Sequence, residues 1–268
     1  MPKVSVLIPV YNQVRNLSLV FSGLKNQSMR DFEVVIGDDG SKEEMQQFVK
    51  HYESWFPIKY IWHPDDGFRR SKILNEAFKK IESDYCIFMD SDCVPQHHFV
   101  HDHYMARETN VVLCGRRVDF GDSISKQLTI KDVENRVHER LTKSLFIDLL
   151  KSKTLNWEES IRLPHPKLGR LIHWKPPALL GSNFSLASEL FDRVNGFNED
   201  YVGYGLEDSD LAFRLVRAGA ILKSLRHMAI QYHLYHEKGT TRSDNEKIFD
   251  ETIKRNEPTC KNGLRKLV

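Results

Sequence analysis

Three apolar runs in the first third of the chain each stop at a short polar or acidic cluster, and no other feature limits the fold as tightly. Residues 4–9 lead into Pro9-Val10-Tyr11-Asn12, residues 32–36 into Gly37-Asp38-Asp39-Gly40-Ser41, and residues 85–89 into Asp90-Ser91-Asp92. A run of five or six residues with almost no polar interruption suits a strand buried on both faces, as in parallel sheets. Between the runs, Leu17, Val20, Phe21 and Leu24 recur at helical spacing. Residues 43–52 and 71–81 read as further helices and 58–62 as a strand. The alternation predicts an α/β chain with a doubly wound, Rossmann-like sheet, and ligands bind such sheets at the carboxyl ends of the strands. All three polar clusters therefore fall at the binding edge.

The pattern loosens over residues 118–177, with a charged, helix-prone stretch at 131–153 and a proline-rich, basic one at 163–177. This segment reads as a variable insertion beside the site. Beyond it, residues 179–186 read as a strand, 211–218 as a helix ended by Gly219, and 229–235 as a final strand. The tail from Lys247 is compatible with a helix or a frayed end.

The 268 residues carry 39 basic and 37 acidic side chains, a formal charge of +2, which leaves no electrostatic footprint for nucleic acid. No apolar run is long enough to span a bilayer, and the opening residues look like a strand rather than a signal peptide. The sequence is thus expected to be cytoplasmic. Cys86, Cys93, Cys114 and Cys260 contain no CxxC pair and read as reduced, buried thiols.

Asp90 and Asp92 offer hard oxygen donors suited to Mg2+ or Mn2+ with substrate phosphates, although a DxD triplet is also ordinary turn chemistry. Asp38 and Asp39 are placed to accept from a base or ribose, or to cap an Asx turn. Gly67-Phe68-Arg69-Arg70-Ser71-Lys72 opens a helix and can face a diphosphate or simply solvent. In Gly203-Tyr204-Gly205-Leu206-Glu207-Asp208-Ser209-Asp210 the acids fall in a first helical turn, where the dipole keeps them ionised for capping or for general-base work. His233 and His236 end the last strand. Strand alternation points residues three apart to opposite faces, so one of the two is expected to reach a metal at Asp90 and Asp92.

Taken in order, Val4-Ser5-Val6-Leu7-Ile8-Pro9-Val10-Tyr11-Asn12, Gly37-Asp38-Asp39-Gly40-Ser41, Asp90-Ser91-Asp92 and Glu207-Asp208 resemble the family 2 glycosyltransferases of GT-A fold. The resemblance runs from residue 3 to about 240. The stretch from Gly196 to Asp210 also looks like the acceptor-side segment of bacterial chondroitin polymerase domains and of galactosyltransferases. The resemblance implies one compact domain with a nucleotide-sugar-binding half (1–117), an acceptor-binding half (118–240) containing the 118–177 insertion, and a tail (241–268). It further implies that Pro9, Tyr11, Asp39, Arg69, Arg70, Asp90 and Ser91 bind the donor. By the same resemblance Asp92, with Asp90 and either His233 or His236, holds Mn2+ or Mg2+. Tyr204, Gly205 and Glu207 shape the acceptor subsite, with Asp208 as the base. The family's Arg-Asn-Gly-like triplet is replaced by Ile73-Leu74-Asn75-Glu76-Ala77.

The implied activity is inverting transfer of a hexose or N-acetylhexosamine from a UDP-sugar to a saccharide hydroxyl, in surface polysaccharide or lipid-linked oligosaccharide synthesis. Any membrane association would then be peripheral, through a lipid-linked acceptor. Two rivals remain. A sugar-nucleotide pyrophosphorylase or other nucleotidyltransferase calls for a glycine-rich, basic loop where this chain has Val10-Tyr11-Asn12-Gln13. A non-catalytic carbohydrate-binding module, suggested by Trp62, Tyr204 and Trp174, leaves the acidic motifs without a task.

Overall fold

The structure is a computed structural model that describes residues 1–151, 153–163, 177–237, 239 and 243–267. Trp174 and most of the proline-rich stretch lie outside the described residues. The amino-terminal alternation is realised as β1 (Val4–Val10), α1 (Val14–Lys25), β2 (Phe32–Asp38), α2 (Glu43–Lys50), β3 (Ile58–Trp62), α3 (Arg70–Phe78) and β4 (Tyr85–Met89). β1 pairs in parallel with β2 and β4, and β2 with β3. Sandwiched between two strands and covered on both faces, β1 can be apolar throughout; Val4, Val6, Leu7 and Ile8 are fully buried.

Beyond β4 come β5 (Cys93–Pro95), α4 (Phe99–Ala106), β6 (Val111–Cys114) and β7 (Arg117–Asp119). α5 (Asp122–Gln127) precedes the stretch expected to be helix-prone, which itself breaks into α6 (Ile130–Glu134), a 3-10 turn and α7 (Lys143–Leu150). Then follow β8 (Asn183–Ala187), α8 (Ser188–Arg193), α9 (Glu207–Arg217), β9 (Ile221–Ser224), β10 (Gln231–His233) and α10 (Ser243–Arg255).

The main sheet runs β3-β2-β1-β4-β8-β6-β9, and β5-β10-β7 form a small second sheet. β8 is antiparallel to both its neighbours, so the sheet is mixed where the sequence predicted a parallel one. Phe88 pairs with Phe184 across β4 and β8, and their rings stack at 4.5 Å. That contact helps fix the register, because a one-residue slip would turn every side chain of β8 to the other face. The strand also begins later than the expected residue 179.

Because β8 runs against β4, its first residue arrives at the edge where β4 ends. Asn183 is fully buried there and ties three segments together. Its Nδ2 donates to Arg116 O at 2.7 Å and Ala229 O at 2.9 Å, and its Oδ1 meets His103 Nε2 at 2.9 Å. β7 spans the 117/118 boundary expected from the sequence, and it pairs with β10.

Candidate active site

The polar clusters assemble at the carboxyl edge, as the strand pattern requires. On the β2 side, Asp38 turns back as an Asx cap, its Oδ1 accepting from the Ser41 amide at 2.7 Å. Asp39 is engaged differently: Oδ1 meets His63 Nε2 at 2.6 Å and Oδ2 accepts from the Arg69 amide at 2.8 Å. Burial pushes the Asp39 carboxyl up, against the pull of His63 and the Arg69 amide. Gly40, with φ at +95°, lies against the Asp65 backbone, where a Cβ would collide. Tyr11 is largely exposed at the end of β1, and its hydroxyl donates to Asp65 Oδ2 at 2.9 Å. Pro9 is partly covered and Ser91 is buried. Sequence reasoning missed His63 and Asp65, neither of which belongs to a motif.

Arg69 and Arg70 part company. Arg69 reaches Asp66 at 2.9 Å on the surface. Arg70 turns inward, and its Nη2 donates to Asp90 Oδ1 at 2.8 Å and to Gly181 O at 3.0 Å, while Nη1 lies 3.6 Å from Glu207 Oε1. Burial disfavours the Arg70 charge, but Asp90, Glu207 and Asp208 outweigh it and hold the guanidinium firmly protonated. Glu207 responds to the same environment: burial raises its pKa, only partly offset by Arg70.

Across the edge, the chain enters α9 through Leu206, whose φ of 72° is strained for a branched residue. This entry turns Asp208 to accept from the Gly181 amide at 3.2 Å and the Ser209 amide at 2.7 Å. Asp210, third acid of the motif, is fully buried and bound to Arg214 Nη2 at 2.6 Å and Thr252 Oγ1 at 2.8 Å. It serves the packing of α9. Tyr204 is exposed and Gly205, at φ +107°, is anchored through its carbonyl to Asn245 Nδ2 at 2.9 Å.

At the end of β10 the expectation of a single reaching histidine is corrected. β10 stops at His233 and the chain leaves strand geometry, so alternation no longer applies to His236. The two Nε2 atoms lie 3.1 Å apart, and they stand 3.7 Å (His233) and 3.3 Å (His236) from Asp92 Oδ2. The Nδ1 atoms face oxygens, His233 toward Asp119 at 3.0 Å and His236 toward Glu237 O at 2.8 Å. Were Nδ1 to donate to those acceptors in both rings, the two Nε2 atoms would face one space beside a carboxylate with their lone pairs. Such an arrangement calls for a shared cation, a proton or a metal ion. The hydrogen bond to Asp92 raises His236 to about 9. Burial opposes ionisation of Asp92, but His236, His233 and Arg117 hold its pKa below the usual carboxylate value. Asp92, His233 and His236 form a three-donor group within 4.8 Å, and Asp90, Asp92 and Cys93 form another. Asp119, the partner that orients His233, went unnoticed because it sits on a three-residue strand inside a charged stretch.

The carboxylates of Asp90 and Asp208 are joined by a short bridge, Asp90 to Arg70 to Gly181 to Asp208. An open depression lined by Phe78, Ile81, Asp192 and Leu264 contains none of these groups. The four cysteines are free and buried.

Known proteins resemble the chain in sequence and in fold. The profile of glycosyl transferase family 2 matches residues 5–172, and that of the N-terminal domain of galactosyltransferase matches residues 171–237. Chondroitin synthase of Escherichia coli is 28% identical over 239 residues, covering 85% of this chain and 34% of that protein. Validoxylamine A glucosyltransferase of Streptomyces hygroscopicus subsp. jinggangensis is 28% identical over 232 residues, covering 80% of this chain and 51% of that protein. The chain thus spans about a third to a half of the length of these two relatives. Among solved structures, S. aureus TarS 1-349 superposes with a TM-score of 0.59 at 19% identity, covering 95% of this chain and 65% of that one. Mannosyltransferase PcManGT from Pyrobaculum calidifontis gives 0.59 at 17% identity, covering 89% and 58%. These likenesses identify the fold as GT-A, with its mixed sheet and acidic edge. A family profile matching more than half of the chain, on that fold, makes this protein a member of glycosyl transferase family 2 and a glycosyltransferase.

Proposed function

We propose that the protein is an inverting, metal-dependent transferase that moves a hexose or N-acetylhexosamine from a UDP-sugar to a saccharide hydroxyl. The observation that carries the reading is the convergence of Asp92, His233 and His236 at the carboxyl edge, bridged through Arg70 and Gly181 to Asp208. Two imidazoles with one carboxylate suit Mn2+ better than Mg2+, which prefers oxygen donors. Bound there, the ion would neutralise the departing diphosphate.

The chain's own residues take the remaining parts. Asp39 and Tyr11 sit where a base and ribose would lie, and Asp90, held by Arg70, faces the same edge. Asp208 accepts hydrogen bonds from the Gly181 and Ser209 amides, and as a base it would take the proton of the acceptor hydroxyl. Tyr204, Gly205 and Glu207 line the acceptor side. Residues 1–117 would serve the donor and 118–240 the acceptor. A UDP donor is supported by the TarS structures with UDP and UDP-GlcNAc, and Mn2+ by the PcManGT structure with GDP-Man and Mn2+. A surface polysaccharide or lipid-linked oligosaccharide as acceptor, and work in the cytoplasm, belong to the same proposal. Among the described residues no helix is long and apolar enough to cross a membrane. The pyrophosphorylase and binding-module readings find no support.

The test is a screen of UDP- and GDP-sugars for nucleotide release and transfer, with Mn2+, with Mg2+ and with chelator. UDP release from one UDP-sugar, abolished by chelator, is expected. Release only from a GDP-sugar, or undiminished release under chelation, would overturn the donor or the metal.

A further inference from the structure

Helix α7 carries an apolar face that nothing among the described residues covers. Phe146 is 50% exposed, Ile147 39% and Leu150 71%, and Leu141, just ahead of the helix, is 56% exposed. Leu145 and Asp148 are buried on the other side. At 100° per residue, Phe146, Leu150, Lys143, Ile147 and Lys151 fall in one arc of roughly 140°, opposite the buried positions.

The charges around this face have one sign. Arg140, Lys143, Lys151 and Lys153 are all exposed, and none of them makes an ion pair or side-chain hydrogen bond among the described residues. Asp148 is the sole acid between residues 140 and 155, and it is turned inward. Elsewhere on this surface exposed cations do find partners, as Lys126 does with Asp122 at 2.8 Å. A helix with bulky apolar residues in the middle of its exposed arc and free cations around it matches the boundary of an anionic bilayer, with rings and alkyl chains inside and lysines at the headgroups.

The face is also fixed relative to the site. Thr154 Oγ1 accepts from the Gly121 amide at 3.3 Å, and the Leu155 backbone pairs with that of Asp119, at 2.8 Å and 3.1 Å. Asn156 Nδ2 donates to Asp119 Oδ2 at 3.0 Å. Asp119 in turn orients His233. A surface held by the exposed side of α7 would therefore lie beside the candidate site.

We infer that the exposed arc of α7, with Leu141, Phe146, Ile147 and Leu150 flanked by Arg140, Lys143, Lys151 and Lys153, is a docking surface for anionic lipid bilayers. This binding is independent of the donor and acceptor assigned above, and vesicles without any sugar substrate read it.

The test is sedimentation of the full chain with vesicles of phosphatidylcholine alone or with one third phosphatidylglycerol. Binding to the anionic vesicles only is expected, weakening with added salt. Each cation near such a surface contributes about fivefold, so Lys143→Glu with Lys151→Glu should weaken binding on the order of 25-fold or more. Phe146→Ser with Leu150→Ser should weaken it on the order of tenfold or more while melting temperature holds, since both side chains are exposed. Failure of the parental chain to bind anionic vesicles overturns the proposal. So does binding that survives the Phe146 and Leu150 changes, which would mark a purely electrostatic site for a polyanionic saccharide. A dimer in sedimentation velocity, lost in the same double variant, would assign the face to a second copy instead.

Discussion

Arg70 donates through one nitrogen, Nη2, to both Asp90 Oδ1 and the Gly181 carbonyl, at 2.8 and 3.0 Å. This joins the strand that carries the DxD triplet to the turn that holds Asp208. Removing one member of a buried ion pair strands the other, at a cost of about 3 to 5 kcal/mol. Arg70→Met should therefore lower stability by about 3 kcal/mol in urea titration, and Arg69→Met, on the surface, by under about 0.5 kcal/mol. Equal small losses in both would remove the bridge from the fold's supports.

Asp92→Ala should abolish Mn2+-dependent UDP binding, because the carboxylate faces the ligand edge and two imidazoles rather than the hydrophobic core. Calorimetry with UDP and Mn2+, alongside a thermal melt that stays near the parental value, checks it. Undiminished affinity would take Asp92 out of the metal site.

His233→Ala and His236→Ala should each reduce Mn2+-dependent transfer by similar, large factors, since their Nε2 atoms share one space. Asp119→Asn should lower metal affinity on the order of 10- to 100-fold, the usual effect of a group that orients a ligand. A loss confined to one histidine would restore the single-ligand arrangement.

Asp208→Asn keeps the shape of the side chain and removes its charge. Donor and metal binding should persist while transfer falls on the order of 10²-fold or more, the usual span for a general base. Near-parental transfer would make Asp208 a helix cap; lost UDP affinity would place it in the donor site. Asp210 is no substitute, being committed to Arg214 and Thr252.

His103 is lowered to about 4 by burial, its rings of contacts being Ser185 and Asn183. Its folded pKa lies below its unfolded value of about 6.5, so the unfolded chain takes up the proton first. The stability it contributes is present above about pH 6.5 and is lost as the pH falls toward 4, with a slope of about 1.4 kcal/mol per pH unit. The difference in unfolding free energy between the parental chain and His103→Gln should shrink over that interval. A constant difference would mean that His103 is not held neutral.

The strand ends of the amino-terminal half were legible because each apolar run gives way to a polar or acidic cluster at or just beyond the strand's last residue, even where, as at Asp38 and Asp39, the acids themselves are buried. What the sequence hid came from short or reversed elements. β8 is buried over most of its length like the strands on either side of it, so its reversed direction leaves no trace in periodicity. β7 and β10 have three residues each, too few for alternation to declare a face, and with them went Asp119 and the joint approach of His233 and His236. His63 reaches Asp39 from the end of β3 through tertiary contact alone. The bridge that Arg70 makes depended on Gly181, a residue without a side chain to read.

Asn183 binds the carbonyl of Arg116, so the whole excursion between them leaves and returns at one asparagine. Closing a loop costs only about 0.6 kcal/mol for each doubling of its length. Length changes at its outer turns therefore cost little in closure, because the two ends are already clamped, whereas Phe120, Leu128, Val133 and Leu145 belong to the main core and anchor the rest of it.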